Sequence, residues 1–362
     1  MDTLEPLVPC PHDTRTTHSP VHGRTALSAA SDPFGERARA GLHARLSVLG
    51  GTFTVESADA AALQLAIDAF GGLPRHRLRA ASRSFGVRLV VNDYRSSWVR
   101  TGPPRPTLTG VDGLLCATID AGNFAVVDIK QSRALVCLTP AMLRFPYHAR
   151  YELIELAAVT LASRAQELVP LHAACIGSRG RGVLLMGASG AGKSTLTLHA
   201  LVSGMQLLSE DSAFVDVDSL RVTGLPNYLH IQPSALGFLT NASLLAQILQ
   251  SPMISRRSGA RKYEVDLRGI RAKLAATPLK LGATVFLSRR RATPHNALEP
   301  LSRKLLLKRL RDEQPYAAAL SNWRQFERRV VALPAFELRR TAHPDIAVRR
   351  LQELLAAMPK LS

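Results

Sequence analysis

The stretch "GASGAGKST", Gly187 to Thr195, sets three glycines beside a lysine and three hydroxyl side chains. Gly187, Gly192, Lys193 and Ser194 have the spacing G-x-x-x-x-G-K-[ST]. The chemistry this suits is phosphate binding. Glycines let the backbone curl so that consecutive N–H groups face inward. With the start of a following helix, those donors form a fixed positive concavity for phosphate oxygens. Lys193 would add a point charge on the outer phosphates, and the Ser194 hydroxyl would ligate Mg²⁺. The residues expected to hold ATP are Gly187, Ala188, Ser189, Gly190, Ala191, Gly192, Lys193, Ser194 and Thr195, with Lys193 facing solvent. The flanks agree: the apolar run "GVLLM" precedes the loop as a strand, and Lys193 to Gly204 is expected to follow as a helix.

A phosphate cradle does not specify a reaction. No "LSGGQ"-like segment or "NKxD"-like guanine reader follows, and "AFVDVD" matches a Walker B strand only loosely. The informative neighbour is "MQLLSEDSAFVD", with adjacent acids Glu210 and Asp211 at a strand end. Two such carboxylates can divide two jobs, one holding Mg²⁺ and the other accepting the proton of an attacking hydroxyl. Residue type alone allows either assignment. Further on, Arg256, Arg257, Arg261 and Lys262 in "SRRSGARKYEVD" make a basic loop. It is either a solvated surface or a lid whose cation meets the transferred phosphate. Lys262 is favoured for that role because it leads directly into a strand-like run.

These residues need elements to position them. Residues 1–40 are rich in Pro, His, Thr and Ser and are expected to form a disordered tail. Residues 41–168 are expected to form an α+β domain. It comprises a hairpin around Gly50-Gly51, a helix capped by Asp59 and ended by Gly71-Gly72, and strands at "GVRLVVND", "GLLCATID", "FAVVDIK" and "RALVCLT". "RTGPPRPTLTG" is expected to be a loop, and "YHARYELIELAAVTLASRAQELV" a long helix. From 169 to 362, strands and helices alternate as in an α/β sheet domain. "LHAACIG" is expected as a strand carrying His172, "MQLLSED" and "SAFVDVD" as a strand pair, and "LEPLSRKLLLKRLRDE" as a helix.

Bulk composition sets looser limits. Lys plus Arg is 46 against 28 acids, a net charge of +18, which suits an anionic partner. No zinc-finger spacing or aromatic-basic stripe supports specific nucleic-acid binding. No run of about 18 apolar residues suggests a membrane span. The start, "MDTLEPLVPCPHDT", does not read as a signal peptide. Cys10, Cys116, Cys137 and Cys175 are scattered, so neither structural zinc nor a disulfide framework is expected, and a cytoplasmic location is the default.

The segment from Leu171 to Asp216 resembles the catalytic core of HPr kinase/phosphorylase and its relatives, a family similar in fold to ATP-dependent PEP carboxykinase. Gly187, Ser189, Gly190, Gly192, Lys193 and Ser194 match its GxSGxGKS loop, His172 its first-strand histidine, and Glu210-Asp211 its acidic pair, usually Asp-Asp. Thr195 departs from the acid usual after the Lys-Ser pair. The resemblance implies an α/β P-loop kinase domain of the HPr kinase/PEP carboxykinase type behind the α+β domain. It also implies catalytic roles for Asp211, Glu210, Lys193 and His172, with Asp211 as base and with Ser194 and Glu210 on Mg²⁺. Relatives encoded with bacterial peptide-modification genes, lasso-peptide kinases among them, suggest a Ser or Thr hydroxyl of a peptide or small protein as acceptor. A homo-oligomer is compatible with that family. Two other functions fit the residues: a small-molecule kinase or carboxykinase-like enzyme, and a nucleotide-dependent binding module with little catalysis.

Overall fold

The front half begins with β1 (Leu42–Val48) and β2 (Gly51–Ser57), paired antiparallel. In the computed structural model, which describes residues 41–79, 81–269, 273–293 and 296–359, their turn is Leu49-Gly50, not Gly50-Gly51. The expected tail, residues 1–40 with Cys10, lies outside the described residues. Leu49 and Gly50 have φ of 48° and 85°, the doubly left-handed turn that matches the twist of paired strands. Gly51 already lies on β2 because the Phe85 ring fills the space a Cβ would need, and that ring stacks on Phe53 at 4.7 Å. Helix α1 (Ala60–Phe70) starts where the Asp59 carboxylate accepts the Ala62 N–H at 2.8 Å and ends at Gly71. It buries Ala62, Leu63, Ala66, Ala69 and Phe70, one helical face.

The rest of this sheet is β3 (Ser84–Val91), β4 (Thr107–Val111), β5 (Leu114–Asp120), β6 (Asn123–Asp128) and β7 (Arg133–Leu138). The order is β1-β2-β3-β7-β6-β5-β4, with β3 parallel to both its neighbours. The stretch expected to be a Pro/Gly loop therefore ends as edge strand β4, exposed along its whole length. The expected long helix is also divided. Ala149–Glu155 is a π-helical turn, and α2 (Leu156–Ala165) continues from it. The widened turn buries Arg150 and Glu155 together with Leu153 and Ile154. Such turns are rare and are frequently found at functional sites.

The back half contains β8 (Val169–Leu171), β9 (Ala174–Ser178), β10 (Arg181–Met186), α3 (Lys193–Val202), β11 (Gln206–Ser209), β12 (Ala213–Asp216) and β13 (Arg221–Gly224). Then come β14 (Tyr228–Ile231), α4 (Ala242–Gln250), β15 (Met253–Ser255), β16 (Arg261–Asp266) and β17 (Leu279–Arg291). It finishes with β18 (Leu298–Pro300), α5 (Arg303–Glu313), α6 (Trp323–Val330), β19 (Ala335–Arg340) and α7 (Pro344–Ala356). Nine strands form a mixed sheet in the order β11-β9-β10-β17-β13-β12-β8, with β19 beside β17 and β18 beside β19. Strand β17 runs parallel to β10 and β19. Strands β14, β16 and β15 form a small separate sheet.

Three local expectations are corrected. Strands β11 and β12 do not pair: β11 lies on β9, and β12 lies between β13 and β8. The chain must cross between them, so Glu210 and Asp211 fall at a crossover rather than in a hairpin. His172 lies not on a strand but in the bend between β8 and β9. "LEP" is strand β18, and α5 starts only after Ser302, whose hydroxyl accepts the Leu305 N–H at 3.3 Å.

Along β10 the side chains alternate. Val183 and Leu185 join one apolar layer with α3 and α7, while Leu184 and Met186 join another with α5 and α6. A strand covered on both faces must be apolar throughout, as "GVLLM" is. The front core takes in Leu168 and Phe214, so the halves meet in apolar contact. His76 of the front half is buried between the Thr223 hydroxyl at 2.7 Å and the Ala275 carbonyl at 2.9 Å. Among the described residues, no helix is long and apolar enough to cross a membrane.

Candidate active site at the glycine loop

Strand β10 delivers the chain to Gly187, whose φ of 149° lies in the region side chains avoid. A Cβ there would sit 3.2 Å from Leu287, so the turn is tied to β17. Gly192, at φ 102°, is the residue from which α3 starts. Between them the loop faces a cleft of about 950 Å³, lined by residues 188–196 together with His172 and Asp211. Arg289 from the end of β17 donates to the Ser189 carbonyl at 2.9 Å and braces the loop from outside. Lys193 does not face solvent as expected. It is 8% exposed and folds back, its Nζ donating to the Gly187 carbonyl at 2.6 Å. Burial holds its ammonium below the usual lysine range, with Asp211 and Glu210 opposing that shift.

Glu210 and Asp211 leave β11 in a turn fixed by the Ser209 hydroxyl, which donates to the Ser212 carbonyl at 2.5 Å. Adjacent residues in an extended turn point to different sides, and these do. The Glu210 side chain is 6% exposed. It accepts a hydrogen bond from the Ser194 hydroxyl and has His230 Nδ1 at 3.3 Å from its other oxygen. The Asp211 side chain is 24% exposed and lines the cleft. One of its oxygens is 3.3 Å from His172 Nδ1, and the other accepts from Arg256 Nη2 at 3.1 Å. Burial opposes its ionisation, but His172, Arg256 and Lys193 together hold its carboxyl below the usual range. His172 itself is shifted below the ordinary histidine value, chiefly by burial. Its backbone is clamped on both sides by the Gln314 amide, at 2.7 and 3.2 Å.

All the residues expected at the site therefore meet around one loop. Glu210 is set behind Ser194 rather than in the open cleft, and Gly187 forms the root of the loop. The donor set of Ser194 hydroxyl and Glu210 carboxylate is all hard oxygen, the kind Mg²⁺ takes. The cleft wall also carries Lys262, Arg289, Arg339 and Arg340, against the acids Glu152 and Asp211, a balance that favours a polyanion.

Sequence reading missed the opposite wall. Tyr147 and Tyr151, around the start of the π-helical turn, stack at 5.5 Å with an 11° interplanar angle. Arg256 donates to the Tyr147 hydroxyl at 3.0 Å, and its guanidinium carbon is 5.2 Å from the Tyr151 ring centroid. Lys262, favoured within the basic loop, lies on β16 and lines the cleft, and Arg256 also lines it and reaches Asp211. Arg257 turns toward the front half, bonding Glu152 and the Pro103 and Pro104 carbonyls. His230 was also missed. It links Glu210 to Glu264, 3.3 Å from each, and Glu264 meets the buried Arg150, which bonds Glu155 at 2.7 Å. A buried chain of charged groups therefore runs from Ser194 to the π-helical turn. The available signal was "YHARYELIE", where tyrosines four apart share a stretch with more charge than a buried helix carries.

No family model and no curated protein matches the chain. Among solved structures, it is similar to the HPr(Ser) kinase/phosphatase from Coxiella burnetii. That likeness has 13% identity, covers 52% of this chain and 87% of that one, and has a TM-score of 0.25, which assigns no residue a role.

Proposed function

We propose that the cleft binds Mg-ATP and transfers the γ-phosphate to a hydroxyl group, with a Ser or Thr of a peptide or small protein as acceptor. The observation that carries this reading is the split of the acidic pair. Glu210 bonds Ser194 at the loop, while its neighbour Asp211 faces the cleft from the same turn.

In this reading the loop amides and Lys193 hold the phosphate tail, and Lys193 exchanges the Gly187 carbonyl for phosphate oxygen. Ser194 and Glu210 would hold Mg²⁺, which when bound offsets charge on the β- and γ-oxygens. The acceptor hydroxyl gives its proton to Asp211 as its oxygen bonds to the γ-phosphorus. The bond from that phosphorus to the bridging oxygen breaks, and ADP leaves. An Asp211 carboxyl held below its usual range is ionised and free to accept that proton. His172 orients Asp211, and Arg256 is placed to move from Asp211 onto the transferred phosphate. An acceptor would approach past Tyr147 and Tyr151, which makes the front half the reader of the substrate.

The test is incubation of the full chain with γ-labelled ATP and a panel of Ser- and Thr-containing peptides, followed by mapping of the label. Label on a peptide hydroxyl supports the reading. Release of inorganic phosphate alone, with every acceptor, would favour a nucleotide-driven binding module instead.

A further inference from the structure

Apart from the catalytic carboxylates, a second group of metal-binding side chains lies at the other end of α3. His199 is in the last turn of that helix. His343 and Asp345 are at the start of α7, which lies against it. One donor atom from each falls within 4.8 Å of the others. We propose that His199, His343 and Asp345 bind one divalent transition-metal ion, with Zn²⁺ the best match to two imidazoles and a carboxylate.

The three donor atoms lie near enough for one ion to draw them together, within 4.8 Å of one another. Bonds of about 2.0–2.2 Å in a tetrahedron put ligand atoms about 3.3 Å apart. His343 Nδ1 is 3.3 Å from Asp345 Oδ2, the carboxylate oxygen that does not meet His199, and it also accepts the Asp345 N–H at 3.3 Å, a cap bond the ion would displace. His199 Nδ1 and Asp345 Oδ1 are at 2.6 Å, a hydrogen-bond distance, so the ion would take the place of that shared proton. His199 is 2% exposed, and its Nε2 finds no hydrogen-bond partner. With Nε2 unpartnered, Nδ1 carries the one polar contact of this buried ring, and it faces the Asp345 carboxylate across which the ion would bind. The other two ligands are partly exposed, 39% for His343 and 53% for Asp345, which leaves an entry path and room for a fourth, water ligand. The Phe238 ring stands edge-on to both histidines, at 6.4 and 5.6 Å, and shields one side.

The placement gives the ion a structural consequence. Helix α3 begins with Lys193 and Ser194, and Thr341, Ala342 and Pro344 line the cleft just before and within the start of α7. An ion at this junction clips the loop's helix to the cleft edge. The proposal stands on the trio's geometry and does not require phosphate transfer.

The test titrates the tag-free full chain with Co²⁺, read by its visible ligand-field bands, then displaces it with Zn²⁺. His343→Asn is the principal variant, since Asn keeps an N-cap while removing the imidazole. Asp345→Asn is the second, and Glu210→Gln controls for the cleft. The expected result is one Co²⁺ per wild-type chain, displaced by equimolar Zn²⁺. Each trio variant should weaken binding more than about tenfold, with no change in Glu210→Gln. Zn²⁺ should raise the melting temperature of wild type and not of His343→Asn. Equal affinity in wild type and His343→Asn, or no binding by wild type at micromolar ion, would overturn the proposal and leave the trio as a helix cap and ion pair.

Discussion

The loop side of the cleft is built largely from main chain, while the facing side is built from side chains drawn from distant parts of the sequence. On the loop side, Gly187 and Gly192 take conformations other residues avoid, and Lys193 and Ser194 follow directly in the chain. On the facing side, Tyr147 and Tyr151 come from the front half and Arg256 from a hairpin turn between β15 and β16. A backbone cradle needs a fixed local pattern, whereas a side-chain wall needs only that folding bring suitable groups together. The two sides should therefore respond differently to substitution.

The largest effect is expected on the loop side. Lys193→Ala should lower ATP turnover by about 10²–10³-fold, as loss of a preorganised charge on phosphate does. Because Lys193 is buried, a melting curve must accompany the assay. Normal turnover would remove the loop from the mechanism. On the facing wall, Arg256→Lys keeps the charge but loses the planar fork that spans Tyr147 and Asp211. Transfer should fall by up to about 10²-fold through misplacement, with ATP binding little changed. A matching loss of ATP binding would make Arg256 part of the nucleotide site and blur the distinction between the walls.

A smaller effect reports on the buried chain joining the two sides. Burial alone would lower the His230 pKa, but hydrogen bonds to Glu210 and Glu264 outweigh it and raise the value. A histidine that binds its proton more tightly when folded contributes stability that is full below its unfolded pKa. That contribution is lost as pH rises through the folded one. The melting temperature of wild type, relative to His230→Asn, should therefore decline from mildly acidic to alkaline pH. A difference that grows with pH would show that His230 is held neutral.

Legibility in the sequence followed the same divide. The strand before the loop, the helix after it, the Asp59 cap and most front strands could be read because each depends on local pattern. The pairing of β11 with β9 and of β12 with β13 and β8 could not, since adjacent apolar runs look alike whether they pair or cross over. The bend at His172 depends on Gln314, far along the chain, and the exposure of Lys193 depends on how its side chain folds back. The acidic pair was visible as two charges. Their separation, one behind Ser194 and one toward the cleft, comes from the turn that Ser209 closes. Local pattern favours Lys262 over Arg256, because the contacts of Arg256 with Tyr147 and Asp211 come from distant parts of the chain.

The most direct test compares wild type with Asp211→Asn in a single turnover of γ-labelled ATP, with ATP affinity measured on the same samples. A proton acceptor at this position predicts transfer reduced by about 10²–10⁴-fold with ATP affinity nearly unchanged. Undiminished transfer in Asp211→Asn would contradict the assignment of the cleft-facing carboxylate as base.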